Sequence, residues 1–394
     1  MMQYERLGDY IREVNVRNRD EKVTNLLGLS VSKEFMPSIA NTIGTDMSTY
    51  KIVKKNQLVY IADTSRRGDK IAIALLKDYE SAIVSQAYTV FEIIDSNKLL
   101  PKYLMMWFLR PEFDRYARFH SHGSAREIFD WDELCNVMIP LPSIDRQHEI
   151  VEEYETLSRR INLNEQMIQN LEATAQALYR KMFVDGIDKE NLPDGWRMGT
   201  LGDLCKISSS KRIFESEYCD EGIPFYRGKE ISQKRNGEQI TDLIYISKLR
   251  YQELVRKYGK PENGDILLTA VGTIGNSYMV QNEDFYFKDG NLVWFHSFSM
   301  KGSNAYIYEY LQSDLFKNIV SEIAIGSTQK AITIQSLLAI RMLIPDDNSI
   351  MIFGKLATSL HRSIQFKHQE NSKLKELQSL LLAKMGNLKQ KSYG

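Results

Sequence analysis

Between Ile150 and Met182 apolar residues recur at steps that alternate four and three: Ile150, Tyr154, Leu157, Ile161, Asn164, Ile168, Leu171, Ala175, Leu178, Met182. A period near 3.5 is that of a helix packing a narrow seam against a partner, not the broader face of a globular helix. A second series, Phe353, Ala357, Leu360, Ile364, Lys367, Asn371, Leu374, Gln378, Leu381 and Met385, has the same steps. Lys367, Asn371 and Gln378 interrupt it, and Asn164 interrupts the first. Polar seam positions either fix register at some cost in stability or mark a loose stretch of the seam. Each series predicts a helix of roughly 40 residues, about 60 Å at 1.5 Å per residue.

The rest of the chain is patterned differently. Short β-rich runs recur at Leu58–Ile61, Ile71–Ala74, Tyr88–Phe91, Ile266–Thr269, Ser277–Val280 and Leu292–Phe295, punctuated by Gly, Asn and Asp. Helical stretches are predicted near 102–119 and 305–322. Gly186 and the run Pro193-Asp-Gly-Trp196 read as a helix stop and a linker. The expected organisation is a globular half over 1–142, a long helix over 143–188, a second globular half over 189–345 and a second long helix over 346–394.

The halves are copies. Sliding the chain by 203 positions sets Val90 on Val293, Tyr103 on Tyr306, Phe113 on Phe316, Leu134 on Leu337, Pro142 on Pro345 and Lys181-Met182 on Lys384-Met385. Upstream the offset changes: Leu7-Gly-Asp9 matches Leu201-Gly-Asp203, and Asn56–Gly68 matches Asn263–Gly275. A repeat of this length is one folding unit used twice. Charge indicates how the two helices pair. Residues 143–188 hold five basic and nine acidic side chains, and residues 346–394 hold eight and four. Opposite charge favours pairing between them over self-association of like copies, although each exposed pair contributes only about 0–1 kcal/mol. The expected fold class is α/β: two similar α/β domains separated by two long antiparallel coiled-coil helices, related by a pseudo-two-fold. Leu157, Ile161, Ile168, Leu171, Leu178, Leu360, Ile364, Leu374 and Leu381 carry the coil.

Composition removes several classes. No run approaches 18 apolar residues, so no membrane span is expected, and the polar start is not a secretory signal. Three irregularly spaced cysteines, Cys135, Cys205 and Cys219, fit a reducing cytoplasm and give neither a disulfide framework nor a zinc site. His120-x-His122 has no further Cys or His at ligand spacing, so no metal is expected. There is no phosphate-binding G-x-x-x-x-G-K-[ST] loop and no Asn-Pro-Pro-aromatic tetrapeptide of amino-methyltransferases. Pro261-Glu-Asn-Gly-Asp265 reads as a turn before a buried strand, not as a cluster of metal-binding carboxylates. No catalytic residue and no cofactor of the chain's own is expected.

Two similar, non-identical heads on a spacer suit an extended target with two different half-sites, as DNA provides. The sequence resembles the specificity subunits of type I restriction-modification systems over essentially its whole length. The resemblance rests on Trp196 with Leu201-Gly-Asp-Leu204, Gly222-Ile-Pro-Phe-Tyr-Arg-Gly-Lys-Glu-Ile231, Gly264-Asp-Ile-Leu-Leu-Thr-Ala-Val-Gly-Thr-Ile-Gly275, Gly326-Ser-Thr-Gln-Lys330, and Ile139-Pro-Leu-Pro142 leading into Ser143-Ile-Asp-Arg-Gln-His-Glu-Ile-Val151. The first half departs from the pattern: it lacks the opening Trp and carries Asp63-Thr-Ser-Arg-Arg-Gly68 in place of the glycine loop. The second helix opens on Asp346-Asp-Asn-Ser349 and lacks the Arg-Gln-His-Glu run. The resemblance implies a non-catalytic cytoplasmic subunit that reads double-stranded DNA at a two-part, interrupted target. It implies two methyltransferase (modification) subunits docked on the coil, with S-adenosylmethionine on those subunits. ATP-dependent restriction subunits can join, with ATP on them. Rival readings are a related system with a fused nuclease-methyltransferase partner, and a coiled-coil scaffold that does not bind DNA.

Loop residues able to reach phosphates or base edges are the candidate readers. In the first half these are Arg17, Arg19, Lys33, Ser65, Arg66, Arg67, Gln86, Tyr88, Ser124 and Arg126. In the second they are Lys206, Lys211, Arg212, Arg227, Lys229, Lys234, Arg235, Thr273, Ser327, Thr328, Gln329 and Lys330. The chain has no net charge, where nucleic-acid binders usually carry a basic footprint. The isolated chain is therefore expected to bind DNA weakly and with strong salt dependence, and tight binding to need the methyltransferase partner.

Overall fold

A computed structural model describes residues 4–38, 44–64, 68, 70–123, 127–324 and 330–386. In chain order the first half contains β1 (Tyr4–Arg6), β2 (Ile11–Val14), β3 (Leu27–Leu29), β4 (Phe35–Pro37), β5 (Lys51–Lys54), β6 (Leu58–Ile61), β7 (Ala72–Leu75), β8 (Ser81–Val84), β9 (Thr89–Ile93), α1 (Pro101–Leu109), α2 (Pro111–Phe119), α3 (Trp131–Cys135), β10 (Met138–Pro140) and the long α4 (Ile144–Phe183). The second half contains β11 (Arg197–Thr200), β12 (Lys206–Ser208), β13 (Tyr218–Cys219), β14 (Ile223–Tyr226), α5 (Gly228–Arg235), β15 (Ile244–Ile246), α6 (Lys248–Tyr258), β16 (Ile266–Thr269), β17 (Ser277–Met279), β18 (Tyr286–Phe287), β19 (Leu292–His296), α7 (Ser303–Gln312), α8 (Asp314–Ile323), α9 (Ile334–Leu338), β20 (Arg341–Ile344) and the long α10 (Asp347–Gly386). The chain forms two compact units, Met1–Arg160 with Leu374–Gly394, and Ile161–Lys373, so each unit contains part of both long helices.

The units repeat one frame. The main sheet has the order β2-β9-β6-β7 in the first and β12-β19-β16-β17 in the second, and each unit adds a two-stranded ladder, β1-β10 or β11-β20. Buried Tyr103 donates its hydroxyl to the Pro140 carbonyl at 3.0 Å, and Tyr306 does the same to Leu343 at 2.8 Å. The insertion between the second and third strands of the frame differs. In the first unit it holds the β3-β4 hairpin and β5; in the second it holds β13, β14, α5, β15 and α6, and β18, from between β17 and β19, completes a sheet of order β13-β15-β14-β18.

The strand register corrects the sequence alignment by one residue. Leu58 faces Phe91, and Ile266 faces Phe295. Gly264 matches Asn56 because both take positive φ in the turn before the strand (90° and 67°), and their amides reach Val280 and Leu76. Phe91 and Phe295 are both fully buried in their frame cores, and burial of such a ring contributes on the order of 2–3 kcal/mol. A single-residue shift would turn these rings to the other face.

The stretches expected as single helices near 102–119 and 305–322 are each broken. Pro111 lacks the N–H that would continue α1, and Arg110 before it is extended at ψ 135°. In the second unit Ser313 interrupts instead, its hydroxyl accepting from the Phe316 amide.

Both long helices are 40 residues. In the second unit they run antiparallel: Asn164 meets Asn371 at one end of the stretch, and Tyr179 packs on Phe353 at the other, ring centres 6.1 Å apart. In the first unit Gln378 donates to the Ser158 hydroxyl at 2.7 Å, while Ile150, Val151, Leu382 and Met385 join the frame core. Of the seam positions, Ile161 and Ile168 are buried, and Leu157, Leu171, Leu178, Leu360, Ile364, Leu374 and Leu381 are half-buried. The amide of Gln147, fully buried, donates to Lys98 and Pro142 carbonyls and accepts from the Leu100 amide, which ties the start of α4 to the start of α1.

Candidate nucleic-acid interface

In the first unit the strand pairing brings most of the candidate loops to one end of the main sheet. Val14 at the exit of β2 faces Val90, and Tyr60 near the exit of β6 faces Thr89, so the chain after β2, after β6 and before β9 shares that end. Arg17 bridges to Lys51 and donates to the Thr49 carbonyl at 2.5 Å; Lys51 in turn donates to the Tyr88 carbonyl at 2.7 Å. Arg19 and Gln86 are exposed, and Tyr88 is half-buried. The segment after α2 is stitched to the exit of β6: the Thr64 amide donates to the Glu127 carbonyl at 3.0 Å, and Asp63 bridges Ile128. Ser65, Arg66, Arg67, Ser124 and Arg126 lie outside the described residues. His120 and His122 flank this junction and face Glu133 at 3.3 and 3.9 Å.

Lys33 does not belong with them. It sits at φ 65° with its ammonium buried against Asp114 at 2.9 Å, and it also donates to the Phe108 carbonyl. Burial lowers its pKa, and the Asp114 carboxylate offsets this only in part. It is a structural cation, unavailable to a ligand.

The second unit repeats the junction. Ser208 faces Trp294 and Thr269 faces Leu292, so the exits of β12 and β16 and the start of β19 meet. Val271 bridges Ala331 and the Gly272 amide reaches the Lys330 carbonyl at 3.3 Å. Thr273 and Lys330 are thereby brought together; Ser327, Thr328 and Gln329 lie outside the described residues. The glycine loop is pinned from beneath. Thr269, 2% exposed, donates its hydroxyl to the Thr273 carbonyl at 2.5 Å and accepts from the Asn276 amide at 3.0 Å. Gly272 and Gly275 take φ of 77° and 96°, which a side chain would strain. Beside this loop the Ser210 hydroxyl reaches the Phe287 carbonyl at 2.6 Å, and Arg212 pairs with Asp289 at 3.3 Å. This leaves Lys211 and Arg212 exposed at the same end.

The remaining candidates are mostly engaged. Arg227, at the start of α5, pairs with buried Glu230 at 2.6 Å, and exposed Lys229 lies 3.6 Å from Asp242. Lys234 binds Glu283 at 2.6 Å, and Arg235 donates to Asn276 and Gln312. These two brace α5 against the protein. Lys206 starts β12 opposite His296, at the far end of the strand from Ser208. Sequence reasoning missed Lys317, which lines the hollow between the glycine loop and α8; within a helical pattern nothing marks it as a loop neighbour.

The same frame is found in known proteins. The family of the type I restriction modification DNA specificity domain matches the chain twice, over residues 23–173 and 193–376. A specificity-subunit relative in Haemophilus influenzae is 28% identical over 225 residues, 57% of this chain; the match spans about half that relative's length, 55%. The MjaVIII specificity subunit of a type I restriction enzyme in Methanocaldococcus jannaschii is 21% identical over 96% of this chain and 91% of its own. The crystal structure of a type I restriction-modification S subunit from M. genitalium shares the fold with a TM-score of 0.61, at 16% identity over 98% of this chain and 96% of that one.

Proposed function

Because the chain belongs to the type I restriction-modification DNA specificity family, we propose that it reads a two-part, interrupted DNA target, one part with each half, and performs no chemistry itself. The observation that carries this is the repeated junction. In each half the loop leaving the third strand of the frame is stitched to the segment following the second short helix, at Thr64–Glu127 and at Gly272–Lys330. The positions are equivalent, but the side chains that flank them differ, as two readers of different sequences require. The methyl transfer belongs to two modification subunits, docked on the long helices and carrying S-adenosylmethionine; ATP-dependent restriction subunits join that assembly. The setting is the cytoplasm.

The test is methylome sequencing of the host with and without this gene, followed by loop variants. Deletion should erase methylation at one interrupted motif. Arg19→Ala with Gln86→Ala should alter one part of that motif only, and Thr273→Ala with Lys330→Ala only the other. Variants that scramble both parts would overturn the assignment of one reader to each half.

A further inference from the structure

We propose that the insertion of the second half carries a phosphate-binding ledge, built by α6 and the segment after β12, that grips the DNA backbone without reading its sequence. This deepens the DNA-reading role proposed above. The ledge is a groove of about 630 Å³ lined by Lys211, Arg212, Arg250, Arg256, Lys257 and Tyr258, with Glu253 as the single acidic lining residue. Arg250 and Arg212 are held by Glu217 and Asp289. Lys211, Arg256 and Lys257 are exposed and have no acidic partner among the described residues. The ammonium groups of Lys211 and Lys257 lie 4.9 and 5.3 Å from the centre of the Tyr258 ring. The ring thus gathers two like charges from separate segments, an arrangement stabilised by its negative face and suited to an anion between them.

A cation near the end of α6 would favour the helix dipole wherever it pointed. That does not account for Lys211 and Arg212, which come from another segment and face the same groove. The ledge is also continuous with the reading end. The Lys211 amide donates to the Tyr286 hydroxyl at 3.2 Å, and Ser209 binds both the Leu292 carbonyl and the Gly290 amide. These bonds tie the ledge to the start of β19, where Leu292 faces Thr269 at the base of the glycine loop. The corresponding insertion of the first half, residues 15–57 between β2 and β6, carries seven basic and four acidic residues, so the ledge is distinguished by its groove and not by net charge.

The experiment measures duplex binding across a salt series, using the full chain co-purified with its modification subunits and compared with Arg256→Gln/Lys257→Gln. Both side chains are exposed, so folding should be unaffected. Two lost phosphate contacts should make the slope of log K against log salt shallower by about 1.8, or roughly tenfold in affinity over a fourfold salt change. The change should be equal on the cognate and on a random duplex, with the methylated motif unaltered. Lys301→Gln, beyond the other end of β19, should leave the slope alone. An unchanged slope in the double variant rejects the ledge even if the motif stands. An altered motif makes these residues base readers and also rejects it. Should deletion of the gene erase no interrupted motif, the reading role falls, and the random-duplex slope still decides the ledge.

Discussion

The carboxamide of Asn164 donates to that of Asn371 at 2.9 Å, both residues buried in the helix seam of the second unit. Each sits where the heptad pattern calls for an apolar side chain; this one bond joins them, and the Oδ1 of Asn164 is buried without a partner. Asn164→Leu or Asn371→Leu alone leaves a buried amide without its partner and should cost about 1–3 kcal/mol in denaturant unfolding. The double Leu variant should recover most of that loss, because both polar groups are then gone. If the double variant were as unstable as the two singles summed, the pair would not be coupled.

The Lys33–Asp114 pair predicts a different pattern. Its ammonium and carboxylate are 4% and 14% exposed, and the carboxylate also accepts from the Ile71 amide. Asp114→Ala leaves a buried cation unpaired and should cost about 3–5 kcal/mol. Lys33→Met with Asp114→Leu should restore most of the stability, and the DNA target should not change. A variant that kept its stability but changed its target would return Lys33 to the readers.

The sequence made the two halves, the long helices and the frame legible because these rest on periodicity, and the 203-residue offset survives wherever helices pack on the frame. Strand pairing is less visible. The one-residue correction at Asn56 and Gly264 depends on a positive-φ turn that Asn and Gly both supply, so neither residue type points to it. The insertions were unread because no copy exists to compare them with. Charge type could not separate exposed Lys211 and Arg212 from Lys33, Lys234 and Arg235, whose partners Asp114, Glu283 and Gln312 are distant in sequence. The second long helix departs from the family pattern at its start, and there Asp346 caps it, accepting from the Asn348 and Ser349 amides.

Thr269 pins the glycine loop of the second half. Its hydroxyl holds both ends of the loop, at Thr273 and Asn276. Buried Ile61 occupies the corresponding place in the first unit, by the offset that sets Asn56 on Gly264. Thr269→Val keeps the shape and removes both hydrogen bonds. The loss should be about 1–2 kcal/mol of stability, and selectivity should relax at one part of the motif alone, read as partial methylation of altered sites. Unchanged selectivity would separate loop order from target reading.

Asp346 predicts an acid limb. Its carboxylate accepts from the Ser349 hydroxyl and amide at 2.6 and 3.0 Å, from the Asn348 amide at 3.0 Å and from the Trp196 indole at 2.7 Å. These bonds, those of Ser349 first, hold its pKa down at about 2, against about 3.9 for a free aspartate. A depressed carboxyl contributes stability that is complete above the unfolded value and lost as pH falls through the folded one. Wild type should therefore exceed Asp346→Asn in unfolding free energy at neutral pH. The difference should shrink between about pH 4 and pH 2. Trp196 lies on the bond, so its fluorescence should report the same window. A difference that stayed constant from neutral pH down to pH 2 would show that the cap works through shape alone, and that the charge on Asp346 adds nothing to the start of α10.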